Sequence, residues 1–210
     1  MPISIPDRVI IATNNPGKVK EISALLQHCH LFHKTQFLSA IDLNIAEPEE
    51  TADSFAGNAT IKAQYYSQKS QLLALSDDSG LCVEAIQNKP GIHSARWAID
   101  DNGKKNFPLA FQKIYDELVR VGADPLNRPK AHFICNLALF DARNGFSMNF
   151  EGRVDGTLCF PVRGDKGFGY DPIFIKDDMD KTFAELDPEY KDSISHRAIA
   201  FKKLIEAISE

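Results

Sequence analysis

Two adjacent carboxylates, Asp77 and Asp78, stand in the run SDDSG, directly after the apolar stretch LLALS. Ionised carboxylates so close repel unless a proton or cation intervenes. One can hold Mg2+ while the other polarises a water, which is the chemistry of metal-assisted hydrolysis. The competing reading is an Asp-rich turn capped by its own backbone. A second polar group follows the apolar run Val9–Ala12: Thr13, Asn14, Asn15, Pro16, Gly17 and Lys18. Thr13–Asn15 can cap a helix and Pro16 suits its first position. Free N–H groups at such a start favour an anion, and Lys18 adds a full charge. The spacing is not the G-x-x-x-x-G-K-[ST] of a Walker loop.

Three further groups stand out. Ser54, Asn58 and Lys62 are four apart, hence on one helix face, with Glu49 and Glu50 just ahead of them. Taken alone, such a stripe is the ordinary solvated face of a helix. His196 and Arg197 fall in the first turn of the last helix, where positive charge opposes the helix dipole. A bound anion or a carbonyl-rich ligand would offset that conflict. In GFGYDPIF, Phe168 or Tyr170 offers a ring for stacking on a base, with glycines allowing close backbone approach. Taken alone, that stretch reads as a hairpin turn with core aromatics. The run HCHLFH, His28–His33, fits no single helix face and lacks the ligand set of a structural zinc site.

The elements that must position these groups alternate early in the chain. Val9–Ala12 reads as a buried strand, followed by a helix carrying Val19, Ile22 and Leu26. FLSAIDL is a short strand. A helix is expected from Thr51 through TADSFAGNATIKAQYYSQ, with Gly57 as its weak point. LLALS and LCVEAI read as separate strands on either side of DDSG. FPLAFQKIYDELVRVG is an amphipathic helix closed by Gly122. KAHFICNLALFDARNGFSMNFEGRV reads as two long strands around a turn containing Asn144-Gly145. A strand follows in the DPIFI segment, and SHRAIAFKKLIEAI closes the chain as a helix. The pattern predicts an α/β domain, with a mixed sheet flanked by helices.

The chain has 210 residues, 43% hydrophobic and 25% charged, which suits one domain spanning 1–210, with two lobes. A net charge of −5 argues against a duplex nucleic-acid partner but not against a nucleotide. The four cysteines, Cys29, Cys82, Cys135 and Cys159, are dispersed and read as free thiols in a reducing compartment. Neither a signal peptide nor a membrane span is expected, so a cytoplasmic location is.

Taken in order, ATNNPGKVKEI, EPEETADSFAGNATIKA, LSDDSGLCVEAI, PGIHSARW, GFGYDPIF and SISHRAIA resemble the inosine triphosphate pyrophosphatase family, from Ala12 to Ala200. The resemblance implies a Mg2+-dependent homodimer with a nucleotide cleft between two lobes. It implies hydrolysis of ITP, dITP or XTP between the α and β phosphates, giving the monophosphate and pyrophosphate. Carried over residue by residue, Thr13 to Lys18 form the triphosphate loop. Asp78 is the catalytic acidic residue, with Asp77 beside it and Ser79 touching substrate. Glu50 or Glu49 shares the metal with Asp78, and Lys62 and Asn58 face the phosphates. Phe168, Gly169, Tyr170 and Asp171 frame base and sugar. Lys191, His196 and Arg197 complete recognition of the base.

Two positions depart from the family pattern. Asn14 stands where many relatives carry glycine, which puts the loop geometry in question. Gly57 stands where many carry glutamate, which removes a carboxylate near the metal. The rival readings are a Maf-type nucleotide pyrophosphatase and a non-catalytic nucleotide-binding protein.

Overall fold

The computed structural model describes residues 5–27 and 29–209. His28, one of the histidines in HCHLFH, lies outside them. The chain forms two compact units, each assembled from separated segments. The first takes the residues up to Asp78, Cys135–Gly152 and those from Arg197 onward; the second takes Ser79–Ile134 and Arg153–His196. Among the described residues no helix is long and apolar enough to cross a membrane.

In the first unit β1 (Arg8–Ala12) is central because it is apolar after its exposed first residue: Val9, Ile10, Ile11 and Ala12 are all buried. It pairs in parallel with β2 (Gln36–Ser39) on one side and with the start of β3 (Leu73–Val83) on the other. The order continues through β5 (Lys130–Asp141) and β6 (Phe146–Leu158). A turn of four residues, with Gly145 at φ 73°, joins those two strands, as Asn144-Gly145 predicted. Three helices cover this part of the sheet. α1 (Pro16–Gln27) and α6 (His196–Ser209) bury Ile22, Leu26, Phe201 and Leu204 against Leu73, Leu75, Leu137 and Leu139. α2 (Phe55–Ser70) packs through Ala59 and Ala63 on Ala138, and through Tyr66 on Ile10 and Ala74.

In the second unit β3 continues and pairs antiparallel with β4 (Lys89–Pro90), while the end of β6 pairs antiparallel with β7 (Phe174–Lys176). Its core gathers Leu81, Val83, Ile114, Leu118, Phe133, Phe174 and Phe183 around the amphipathic α4 (Phe107–Arg120). Short helices α3 (Ser94–Trp97) and α5 (Pro188–Ser193) complete it.

Three expectations are corrected. β2 ends at Ser39, and the residues after it turn, because Ala40–Asn44 closes back with Ile45 N–H donating to Ala40 O. α2 begins at Phe55 rather than Thr51, because Ser54 caps it by accepting the Gly57 N–H. LLALS, DDSG and LCV form one continuous strand, not two strands around a turn. Gly80 makes that continuity possible. A Cβ there would lie 2.3 Å from Gly91 O and 2.4 Å from Ser94 Oγ, where Ser94 accepts the Leu81 N–H and donates to Gly91 O. Gly80→Ala is therefore expected to lower the urea midpoint, by about 1–3 kcal/mol of overpacking.

Candidate functional site

Side chains on a strand alternate between its faces. In β3 this sends Asp77 with Leu73 and Leu75 toward α1 and α6, and Asp78 with Ala74 and Ser76 toward α2. The two aspartates are sequence neighbours that serve different sets of partners. Asp77 takes its ion pairs from Lys18 and Arg197, and Asp78 takes its own from Lys62.

Asp77 is the centre of a buried ionic set. Its Oδ1 pairs with the Lys18 ammonium, and its Oδ2 accepts from Arg197 Nε at 2.9 Å and from the Cys135 thiol at 3.0 Å. Arg197 Nη1 also donates to the buried Glu21 carboxylate on α1. Burial alone would raise the Asp77 pKa; Arg197 and Lys18 outweigh it and hold the carboxyl well below the usual range. Burial and Asp77 together push the Cys135 thiol well up, so it stays a neutral donor. Two cations meet two carboxylates, and the set is internally neutral. The Arg197 charge at the start of α6 thus faces Asp77 and Glu21, which offset it within the protein. Arg197 is 1% exposed, with its named donors engaged.

Asp78 takes its direct partner from another side chain, Lys62. Its Oδ1 accepts from Lys62 Nζ at 2.9 Å, and Lys62 also donates to Glu50 Oε1. Two carboxylates share one ammonium, leaving a net charge of −1 among the three. Asp78 is 5% exposed, and its Oδ2 is buried without a hydrogen-bond partner among the described residues. Burial raises the Asp78 pKa; the Lys62 and Lys18 ammonium groups only partly offset this, and the neighbouring Glu50 adds to the rise. Burial works against the Lys62 charge, but Asp78 and Glu50 prevail and raise its pKa.

The α2 stripe is accordingly not a solvated face: Asn58 and Lys62 are 1% and 3% exposed. Asn58 Oδ1 accepts the Ala52 N–H at 2.9 Å, folding the segment that carries Glu50 onto the first turn of α2. Gly57 lets the segment lie this close. A Cβ there would stand 2.5 Å from the Ala52 Cβ. Glu50 reaches Lys62, whereas Glu49 is exposed.

The loop before α1 uses its own polar groups. Thr13 Oγ1 accepts the Asn15 N–H and Asn15 Oδ1 accepts the Gly17 N–H, so those two donors are occupied locally. Asn14 does not take a positive φ, which removes the concern over its replacing glycine. Its Oδ1 is buried without a partner among the described residues. Pro16 opens α1, as expected.

The second unit holds the remaining predicted residues. Gly167 and Gly169 take positive φ of 72° and 68°. Asp171 Oδ2 accepts the Phe168 N–H at 3.0 Å and lies 3.3 Å from Lys191 Nζ. The Lys191 ammonium sits 5.1 Å from the centroid of the half-buried Phe168 ring. The two aromatics of this loop separate. Tyr170 is core, packed edge-on against Phe107 and donating its OH to Ser94 O, and only Phe168 retains partial exposure. His196 stacks on Phe133, with centroids 4.8 Å apart. Ser79 is half-buried on β3, next to Asp78 in sequence.

Glu21 and Cys135 were not singled out from sequence. For Glu21 a signal existed: it is three residues from Lys18 on one helix. That spacing alone reads as a surface pair.

Comparison with known proteins places the chain. The Ham1 family model matches residues 9–207. A dITP/XTP pyrophosphatase of Zymomonas mobilis is 46% identical over 202 residues, covering 96% of this chain and 92% of the relative. A dITP/XTP pyrophosphatase of Rhodospirillum centenum is 48% identical over 199 residues, covering 95% and 93%. A HAM1 protein from Coxiella burnetii superposes with a TM-score of 0.83 at 32% identity, over 96% of this chain and 98% of that one. The resemblance carried by the six motifs therefore extends along the whole sequence and the whole fold, and the chain belongs to the Ham1 family.

Proposed function

We infer that this protein hydrolyses non-standard purine nucleoside triphosphates, dITP and XTP among them, to the monophosphate and pyrophosphate. The names of its relatives support this reading, and one feature of the site carries it: among the described residues Asp78 presents a buried oxygen without a hydrogen-bond partner, beside a second carboxylate, Glu50, on the same ammonium. A divalent cation would supply positive charge there, brought with the phosphate chain it accompanies.

Asp78 and Glu50 fit such a cation. Both are hard oxygen donors, and no group of three or more metal-ligating side chains exists among the described residues. Mg2+ commonly takes one or two carboxylates and completes its shell with waters and substrate phosphates. When bound, it polarises the phosphate oxygens and neutralises their growing charge. Lys62 lies between these two carboxylates and Lys18 pairs with the neighbouring Asp77, and both add positive charge to the phosphate chain. Asp78 Oδ2 orients the attacking water, and the contribution of the protein is positioning and electrostatics.

Asp77 does not touch the reacting atoms in this account. It is a positioning residue, which fixes Lys18 and Arg197. Phe168, with Lys191 and Asp171 behind it, provides the face for the purine, and His196 is a ring donor for the 6-carbonyl that adenine lacks. Arg197 is buried and holds both Asp77 and Glu21. A change in the ITP:ATP ratio on substituting it would thus mix selectivity with loss of the buried ionic set. Lys191→Met is the cleaner probe.

The test is pyrophosphate release across a panel of ITP, dITP, XTP, GTP, ATP and the pyrimidine triphosphates, with and without Mg2+. Turnover is expected for the first three, dependent on the metal. Equal rates on ATP, or preference for a pyrimidine, would overturn the assignment.

A further inference from the structure

The position of Lys62 has a consequence for the order in which ligands arrive. Its ammonium lies between Glu50 and Asp78, within hydrogen-bond reach of both, and is 3% exposed. It therefore holds a cation position between the two carboxylates that a divalent metal would need. A metal approaching Asp78 Oδ2 alone would meet a fixed like charge a few ångströms away, in surroundings that screen it poorly. A triphosphate changes this balance. An ammonium has three donors. Glu50 and Asp78 take two of them, and a phosphate oxygen can take the third or replace a carboxylate. The negative chain then offsets Lys62 and the metal together.

We propose that Lys62 is an internal counter-cation that closes the Glu50–Asp78 pair to a bare divalent metal, so that metal enters only together with a phosphate chain. This rests on the reading of Glu50 and Asp78 as the metal-side carboxylates. Metal and nucleotide binding are then linked: each raises the affinity for the other by the same factor. The device also restrains an acidic site that would otherwise capture free divalent ions. Asn58 contributes by fixing the Glu50 segment through Ala52, so Glu50 holds its place against Lys62 when no ligand is present.

Mn2+ binding followed by electron paramagnetic resonance tests this without using turnover. The unhydrolysable α,β-methylene analogue of dITP serves as the phosphate chain, with protein-free mixtures subtracted. Wild-type protein is expected to leave most Mn2+ free when mixed with the metal alone, and to take it up once the analogue is added. Lys62→Met should bind Mn2+ alone on the order of tenfold more tightly than wild type, since a fixed repulsive charge has been removed. Lys62→Arg, which keeps the charge, should not. Circular dichroism checks that each variant is folded. Lys62→Met binding bare Mn2+ no better than wild type would overturn the proposal. So would wild-type protein binding bare Mn2+ as tightly as it does with the analogue, a result that stands even if the variant fails to fold. Asp78→Asn separates the two levels of inference. Loss of Mn2+ uptake there, with no tightening in Lys62→Met, refutes the counter-cation role and leaves the metal site standing. Unchanged uptake in Asp78→Asn refutes the metal site itself.

Discussion

Asp78→Asn is expected to release pyrophosphate about 10²–10⁴-fold more slowly than wild type, the range that a positioned proton-transfer group typically supplies. Nucleotide binding should remain measurable. The amide keeps the shape of the side chain, and Lys62 keeps Glu50 as a partner. On the proposed mechanism, what is lost is the charge that orients water and holds the metal from Oδ2, the atom without a hydrogen-bond partner among the described residues. Steady-state release on dITP, read beside equilibrium binding of its α,β-methylene analogue, separates the two effects. Turnover near the wild-type rate would remove Asp78 from the catalytic centre. Asp77→Asn should behave differently, because that carboxylate already has Lys18, Arg197 and Cys135. Its substitution disturbs the position of Lys18 and the stability of the first unit before it disturbs chemistry.

The second large effect concerns that buried set. Arg197→Met should cost about 3–5 kcal/mol of stability at pH 7, because it leaves the buried Asp77 and Glu21 carboxylates without their guanidinium. Urea unfolding at fixed pH measures it, and a midpoint equal to wild type would show that the set contributes nothing to the fold. A pH dependence follows from the same group. The Asp77 pKa is depressed in the folded state, so its contribution is fully present above the unfolded carboxylate value of about 3.9 and is lost as pH falls below it. Wild-type stability should therefore drop below about pH 4, and the drop should be shallower in Arg197→Met, where less of the depression remains.

The sequence made some of this legible and hid the rest for physical reasons. The start of α1 at Pro16 and the β5–β6 turn at Asn144-Gly145 were readable, because both depend on local backbone preferences. The continuity of β3 was not. Asp, Asp, Ser and Gly are turn formers in isolation, and only tertiary partners make them a strand. Lys18, Asp78, Lys62 and Glu50 could be named from motif and spacing. Their grouping could not, since it depends on which face of β3 each aspartate takes. Arg197 shows the limit most directly. Its dipole conflict was visible in sequence, yet the groups that resolve it lie 120 and 176 residues away in the chain. The α2 stripe misled in the opposite direction. Helical spacing shows that Asn58 and Lys62 share a face, but not that β3 and the Glu50 segment cover it.

The opposite orientation of Asp77 and Asp78 also bears on what kinds of change this chain tolerates over evolutionary time. Substitutions within α1, α2 or α6 alter one set of partners at a time, and loops such as the β5–β6 turn absorb insertions cheaply. Gaining or losing a single residue inside β3, between its pairing with β1 and Asp77, is another matter. It would carry each aspartate to the other's side of the sheet, and both charges would be stranded at once. Length variation among descendants should therefore be absent from Leu73–Asp78 even where residue identity drifts.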